Sequence, residues 1–237
     1  MSKKTIVFGS TGTLGKEIIN LEKNFIYPTH SQADITKFDQ LSSFIENENA
    51  YQILHLAALV GARACEENKE NAYLTNVIGT KNLAKICSAK NIKLIYMSTD
   101  TVFDGDKGNY NEEDIPNPIN YYSFTKFAGE CYAEMVPYHL IIRASFFSPN
   151  NFPFNKALTD QYTCRMPVEE LAKEILLAIN KDLEGIIHMG GERDSLYSII
   201  KKFKPEIEKM TIQETGLNLP KDLSLDVSKW RIIKNGT

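Results

Sequence analysis

The stretch Thr5-Ile-Val-Phe-Gly9-Ser-Thr-Gly12-Thr-Leu-Gly15 decides the fold of this chain of 237 residues. Residues 5–8 form a short apolar run typical of a buried strand, and the apolar spacing over residues 13–21 predicts a helix. Glycines between strand and helix allow a tight turn, let the backbone approach a pyrophosphate and let the helix pack closely on the strand. The helix N-terminus adds free N–H groups and partial positive charge. The loop is therefore predicted to bind a dinucleotide through Gly9, Thr11, Gly12, Thr13, Leu14 and Gly15.

The rest of the chain alternates short β-type runs with amphipathic helical patterns, which indicates a parallel sheet with crossover helices. Further strands are predicted at residues 25–27, 51–56, 93–97, 140–143 and 185–189. Further helices are predicted at residues 38–46, 72–89, 121–135, 168–179 and 196–203. We therefore expect an α/β fold with a Rossmann-type, doubly wound parallel sheet over residues 1–145. Residues 146–237 are expected to form a small C-terminal substrate lobe, whose tail, residues 219–233, is mostly irregular.

Composition excludes several classes of function. The net charge is −3, the sequence pI is about 5.9, and the 27 Lys and Arg residues are scattered. Nucleic acid and anionic membrane are therefore not expected as partners. The first residues resemble no signal peptide and no apolar run approaches the length of a membrane helix, so we expect a cytoplasmic protein. None of the four cysteines has CxxC spacing or a His at metal-ligand spacing, which predicts reduced thiols and no metal site.

The end of the second predicted strand bears on the choice of cofactor. That stretch reads Tyr27-Pro-Thr-His30-Ser and holds no acidic residue. An acid there binds the ribose 2′-hydroxyl of NAD and repels the 2′-phosphate of NADP. We therefore expect NADP(H) rather than NAD(H), with Thr29, His30 and Ser31 as possible donors to the phosphate.

Tyr122 and Lys126 form a candidate catalytic pair, because their spacing puts a phenol and an ammonium one helical turn apart. A nearby cation is expected to lower the pKa of the phenol toward working pH. The YxxxK pattern alone is weak, and Tyr197 with Lys201 repeats it. Only the first pair follows the fourth predicted strand, where Thr99 can hydrogen-bond a substrate oxygen. The second pair is interpreted as structural.

A resemblance to a family becomes specific around these residues. Ser98-Thr-Asp-Thr-Val-Phe-Asp-Gly105 is similar to a stretch of the dTDP-4-dehydrorhamnose reductases, which are extended short-chain dehydrogenases/reductases. The glycine spacing GxxGxxG has the short-chain form. Similar motifs stand in the same order at residues 76–83, 122–130, 142–146, 160–162 and 220–226. The resemblance implies NAD(P)H-dependent reduction of a 4-keto group on a nucleotide-activated deoxysugar.

The resemblance also implies roles for individual residues. Thr99, Tyr122 and Lys126 take the catalytic positions, and Asn76 is the helix asparagine that supports the lysine. Asp34 and Ile35 resemble the pair that flanks the adenine, although Asp34 can also be read as a helix N-cap. The remaining assignments are to the cofactor for Ala57 and Ala58, and to the substrate for Ser98, Thr99 and Phe146.

The chain departs from the family pattern in ways that leave alternatives open. Thr101 replaces the usual tyrosine, and residues 147–160 are shorter than expected, as if a helix of the substrate lobe were missing. The pocket is then smaller, more open, or completed by another subunit in a homodimer. A non-catalytic NADP-binding regulatory subunit is one alternative function. A nucleotide-sugar dehydratase or epimerase of the same fold is another, although the Asp-Glu pair of dehydratases is replaced by Asp100-Thr101 and only Cys164 offers an epimerase thiol.

Overall fold

The computed structural model describes residues 4–216 and 219–236, so residues 1 and 237, the outer ends of the two expected segments, lie outside it. A parallel sheet of five strands, in the order β1-β2-β3-β4-β9, organises this part of the chain. Its strands are β1 (Thr5–Phe8), β2 (Gln52–His55), β3 (Lys93–Met97), β4 (His139–Ala144) and β9 (Gly185–Met189). Nearly every residue of these strands is buried, as expected when helices cover both faces of a parallel sheet.

Helices cover the two faces of the sheet. The α-helices are α1 (Thr13–Leu21), α2 (Phe38–Glu48), α3 (Ala62–Glu67), α4 (Lys69–Ala72), α5 (Gly79–Lys90), α6 (Tyr121–Glu134), α7 (Val168–Asn180), α8 (Leu196–Lys201), α9 (Ile212–Thr215) and α10 (Ser228–Asn235). Apolar side chains of α1, α7 and α10 form one core with one face of the sheet. Those of α2 and α5 form a second core with the other face. The doubly wound α/β fold is confirmed.

The strand predicted at residues 25–27 is reduced to a single bridge. Ile26 N–H donates to the Thr5 carbonyl at 2.8 Å, and Val7 N–H donates to the Ile26 carbonyl at 2.9 Å. Pro28 follows and has no N–H group, so the ladder does not continue past this point.

The helix predicted at residues 72–89 is longer and irregular. It begins as α4, widens to a π-helix over Tyr73–Ile78, and continues as α5 to Lys90. Asn91 ends it in the left-handed conformation, with φ of 55°. A π-turn inserted in a helix often marks a functional position, and this one contains Asn76.

The C-terminal segment returns to the main sheet. Strand β9 pairs with β4 over five residue pairs, and α7 packs in the same core as α1. A boundary at residue 145 therefore assigns to the lobe a strand and a helix that complete the sheet. The lobe itself is built on three pairs of short strands. These are β5 (Phe146–Phe147) with β8 (Met166–Pro167), β6 (Lys156–Leu158) with β11 (Glu208–Met210), and β7 (Tyr162–Thr163) with β10 (Asp194–Ser195).

The prediction of a mostly irregular tail is wrong at its end, where α10 forms. Trp230 in this helix is 3% exposed and its indole N–H donates to Glu174 of α7. Lys234, one turn later, pairs with the same carboxylate. Burial of the Trp230 indole against α7 stabilises this short helix, which would be only marginally stable alone.

Candidate active site

The Gly-rich loop between β1 and α1 tolerates no side chain at two positions. Gly9 has φ of +89°, and a Cβ there would lie 2.4 Å from the backbone nitrogen of Ala57. A Cβ at Gly15 would lie 2.3 Å from the carbonyl oxygen of Gly9. Gly12 is the N-cap of α1 and offers no side-chain cap, so the first amides of the helix are free to bind an anion.

A cavity of about 550 Å³ opens above this loop at the carboxyl ends of β1, β2 and β3. It is lined by every cofactor residue assigned from the Gly-rich loop and from the family resemblance, and also by Ser98 and Phe146. Thr99 and Asn76 lie outside its lining. A glycine cradle at a helix N-terminus, continuous with an elongated cavity, fits the pyrophosphate and the two nucleoside arms of a nicotinamide dinucleotide.

Asp34 is held in place by a turn and not by a helix. Its Oδ1 accepts hydrogen bonds from Thr36 N–H at 2.9 Å and Thr36 Oγ1 at 2.7 Å. Because α2 begins at Phe38 with Lys37 as N-cap, the N-cap reading of Asp34 is wrong. Burial raises the pKa of Asp34, but the bonds from Thr36 and the charges of His30 and Lys37 outweigh it and lower the pKa. His30 Nε2 and Lys37 Nζ lie 3.6 and 3.8 Å from Asp34 Oδ2.

Of the three donors expected for a 2′-phosphate, His30 lines the cavity. The Thr29 hydroxyl instead donates to Gln32 at 2.8 Å, and Ser31 lies 3.1 Å from that hydroxyl. Thr29 and Ser31 lie outside the cavity lining. Lys37, which the sequence reasoning missed, puts a second cation beside His30.

Tyr122 lies in the first turn of α6, whose N-cap Asn120 accepts a hydrogen bond from Ser123 N–H at 2.9 Å. Burial raises the pKa of Tyr122, and a negative charge on Asp100 would raise it further, against a smaller lowering by a hydrogen bond from Thr99. The expected lowering of this pKa by the lysine is therefore wrong for the protein alone. The phenol keeps its proton at neutral pH, which suits a proton donor.

Lys126 follows one turn later and is 4% exposed. Its ammonium donates to the Met97 carbonyl at 2.7 Å and lies 4.2 Å from the centre of the Tyr96 ring. Burial lowers the pKa of Lys126 to about 7, although the charge of Glu130 acts in the opposite direction. The group is thus close to half-charged at neutral pH.

Asn76 makes no direct hydrogen bond to Lys126. Its side-chain amide accepts from Leu59 N–H at 2.8 Å, donates to the Leu59 carbonyl at 3.0 Å and donates to Thr125 Oγ1 at 2.9 Å. Asn76 therefore ties the loop after β2 to the helix that carries the lysine.

Thr99 lies two residues after β3 and is the N-cap of a short 3-10 turn, Asp100–Val102. Its Oγ1 lies 3.1 Å from both Asp100 Oδ1 and Thr101 Oγ1 and accepts from Thr101 N–H at 3.2 Å. Thr101, which stands where the family has tyrosine, is thus part of the hydrogen bonding of Thr99.

Arg165 is a charged group near the site that sequence reasoning missed. It lies between β7 and β8, and its Nε donates to Ser145 Oγ at 3.0 Å. Its charge lowers the pKa of Asp100 and of Tyr122. No local sequence pattern identifies Arg165, because this side chain reaches the site only through the pairing of β8 with β5.

The second YxxxK pair lies away from the cavity. Lys201 donates to the Pro205 carbonyl, and its ammonium lies 5.9 Å from the centre of the Tyr197 ring.

Residues 4–216 and 219–236 contain no cluster of three metal-ligating side chains. No helix within these ranges is long and apolar enough to cross a membrane. All four cysteines are free thiols, and only Cys131 is exposed.

The chain is similar to a protein of solved structure and to curated relatives. A solved protein from Sulfolobus tokodaii, described as a hypothetical dTDP-4-dehydrorhamnose reductase, is 32% identical, with a TM-score of 0.86 over 97% of this chain and 94% of that one. Methionine adenosyltransferase 2 subunit beta of Xenopus laevis is 31% identical over 140 residues, which is 54% of this chain and 42% of the relative. A dTDP-4-keto-6-deoxy-D-glucose reductase of Streptomyces niveus is 32% identical over 135 residues, 55% of this chain and 47% of the relative.

The match thus spans about half the length of these curated relatives. The sequence model of one family covers much more of the chain, from residue 3 to residue 203. That match takes in the Gly-rich loop, the end of β3, the helix α6 that carries Tyr122 and Lys126, and most of the C-terminal lobe. The chain belongs to the family described as the RmlD substrate binding domain.

Proposed function

We propose that this protein is an NAD(P)H-dependent oxidoreductase that reduces the 4-keto group of a nucleotide-activated deoxysugar. The observation that carries the proposal is that Tyr122, whose pKa is raised, and the buried Lys126 both line the cavity whose floor is the Gly-rich loop, with Thr99 beside Tyr122. The Streptomyces niveus and Sulfolobus tokodaii proteins are both described as reductases of dTDP-keto sugars, which supports this choice of substrate class.

Each side chain has a distinct part in this proposal. A bound nicotinamide cofactor supplies the hydride. Tyr122 gives its proton to the carbonyl oxygen, because its raised pKa keeps the proton on the phenol until that oxygen becomes basic. Thr99 donates a hydrogen bond to the same oxygen. Lys126 provides a positive charge next to Tyr122 and a donor for the ribose of the cofactor. Ser98 and Phe146 are proposed to contact the sugar.

NADP(H) is proposed as the preferred cofactor. His30 lines the cavity, and Lys37 lies on the same side of Asp34 with 70% of its side chain exposed. The imidazole of His30 and the ammonium of Lys37 can both donate to a 2′-phosphate. The carboxylate of Asp34 does not oppose this strongly, because Thr36 donates to it and both His30 and Lys37 lie against it.

One alternative has support of its own. One relative is described as subunit beta of methionine adenosyltransferase 2, and a chain that serves as a subunit of another protein fits the alternative of a regulatory, NADP-binding subunit. The epimerase alternative has no suitable thiol in Cys164. This residue is buried, its sulfur accepts a hydrogen bond from Leu225 N–H, and burial raises its pKa to about 12. A homodimer that completes the substrate pocket stays a prediction.

A two-part experiment tests the proposal. Thermal unfolding with NADPH and NADH measures cofactor binding, and NADPH absorbance with a panel of 4-keto-6-deoxy nucleotide sugars measures reduction. The proposal expects stabilisation by NADPH and turnover of at least one sugar. Stabilisation without turnover of any sugar supports the non-catalytic subunit, and no stabilisation by either nucleotide refutes both functions.

A further inference from the structure

Asp100 is a buried carboxyl group beside the reacting groups, and the chemistry proposed above does not use it. It follows Thr99 at the end of β3 and is 1% exposed. Thr99 Oγ1 lies 3.1 Å from Asp100 Oδ1, whereas Asp100 Oδ2 has no hydrogen-bond partner in the described part of the chain. A charged carboxylate oxygen buried without a partner is costly, and a neutral carbonyl oxygen is much less so. The geometry therefore favours a protonated Asp100.

The hydroxyl of Thr99 carries a single proton. An ionised Asp100 can only accept hydrogen bonds, so it would take that proton and leave Thr99 with none to donate to a substrate. A protonated Asp100 reverses the bond, because its own O–H can donate to Thr99 Oγ1. Thr99 then accepts from Asp100 and from Thr101 N–H at 3.2 Å, and its own proton is released from Asp100 for the substrate oxygen, with Thr101 Oγ1 at 3.1 Å as the other acceptor within reach.

We infer that Asp100 is a positioning residue that must carry a proton for Thr99 to donate its hydrogen bond to the carbonyl oxygen of the substrate. This inference rests on the proposed reductase function. Asp100 acts only through Thr99 and needs no contact with the substrate.

The charged and titratable groups around Asp100 fit this arrangement. Burial raises the pKa of Asp100, and this effect outweighs the lowering by the charge of Arg165, by the hydroxyls of Thr99 and Ser145 and by the N–H of Thr101. Tyr122 from α6 and Cys164 from the loop before β8 also face it, and both stay neutral at neutral pH because burial raises their pKa values. The active form is the protonated one, so activity is complete below the pKa of Asp100 and is lost as the pH rises through it.

Asp100→Asn tests the inference, because the amide N–H can replace the acid proton toward Thr99 and never ionises. The ratio of kcat for the variant to kcat for the wild type is expected to rise about tenfold per pH unit above the pKa of Asp100. Lys126 titrates in both proteins and cancels in this ratio. A ratio that stays flat across the pH range in which the wild type is active overturns the inference.

Asp100→Leu is the second variant, because it fills the space but offers no hydrogen bond. It is expected to lower kcat at every pH with little change in KM, since the lost bond from Thr99 forms with the developing oxyanion. An Asp100→Leu enzyme with the kcat of the wild type overturns the inference.

Infrared spectroscopy of the folded protein gives a readout that needs no turnover. The wild type is expected to show a protonated-carboxyl band that Asp100→Asn lacks and that fades over the same pH range in which the kcat ratio rises. Spectra that show no such difference overturn the inference. A wild type that reduces no keto sugar refutes the proposed function, whereas an active wild type with a flat ratio refutes only the role of Asp100.

Discussion

Replacing Lys126 by Met should stabilise the protein below pH 7 while it removes activity. Burial lowers the pKa of Lys126 from its usual 10.5 to about 7. At about 1.4 kcal/mol per pH unit, the buried charge costs the folded state about 5 kcal/mol at low pH. Methionine has a similar shape and no charge, but it leaves the Met97 carbonyl without its donor, at a cost of about 1–3 kcal/mol. We expect a net gain of about 2–4 kcal/mol at pH 6.

The sign of this effect should change with pH. Below about pH 7 the lysine is protonated in both states, so the cost to the wild type is constant. From about pH 7 to 10.5 the folded lysine loses its proton while the unfolded one keeps it, so the wild type gains stability as the pH rises. The advantage of Lys126→Met should therefore vanish across this window and reverse by about pH 10, where the neutral amine still bonds Met97.

Thermal and urea unfolding of both proteins without cofactor, at several pH values from about 6 to 10, measures this directly. A gain of this size raises the Tm of a chain of this length by roughly 5–15 °C at pH 6. Lys201→Met, in the second YxxxK pair, is the matched control and should change the free energy of unfolding by less than about 0.5 kcal/mol at every pH. A Lys126→Met protein that is less stable than the wild type at pH 6, or a difference that does not depend on pH, refutes the reasoning.

Two further predictions concern the cofactor. Gly15→Ala should lower the Tm of the protein without ligand, because the added Cβ would lie 2.3 Å from the backbone. Gly12→Val should leave that Tm unchanged, because the atom nearest to a Cβ at Gly12 is 3.4 Å away. The Gly12→Val protein should, however, lose the thermal shift with NADPH. A full shift in Gly12→Val contradicts the assignment of the loop. His30→Ala and Lys37→Ala should each weaken the binding of NADPH by about 1–2 kcal/mol in calorimetric titrations and leave the binding of NADH unchanged. Equal losses of binding free energy for the two nucleotides would count against the 2′-phosphate site.

The strands of the sheet and the glycines below the cavity both leave a local signal in the sequence. Strands β1 and β3 contain the apolar runs at residues 6–8 and 94–97, and glycines such as Gly9 lie where the backbone admits no side chain. Strand β9 was predicted from the sequence, but its place in the main sheet was not. The pairing between β4 and β9 depends on residues more than 40 positions apart. Helix α10 was missed because its stability comes from burial of Trp230 against α7.

The site shows the same limit. The spacing of Tyr122 and Lys126 is visible in the sequence, but the direction of the pKa of Tyr122 depends on burial and on Asp100, which no spacing reveals. Arg165 was missed for the same reason, because Ser145 and Arg165 meet only when β5 and β8 pair. Local motifs therefore point to Tyr122 and Lys126, whereas the pKa shifts of these two groups depend on tertiary contacts.

Tyr122→Phe, assayed beside the wild type with NADPH and a 4-keto-6-deoxy nucleotide sugar, tests the central claim most directly. The phenylalanine ring keeps the packing and removes only the proton donor, so kcat should fall by about 10²–10⁴-fold while the thermal shift with NADPH stays within about 1 °C of that of the wild type. Tyr197→Phe, the same change in the second YxxxK pair, should alter neither quantity. Full turnover by Tyr122→Phe would contradict the account.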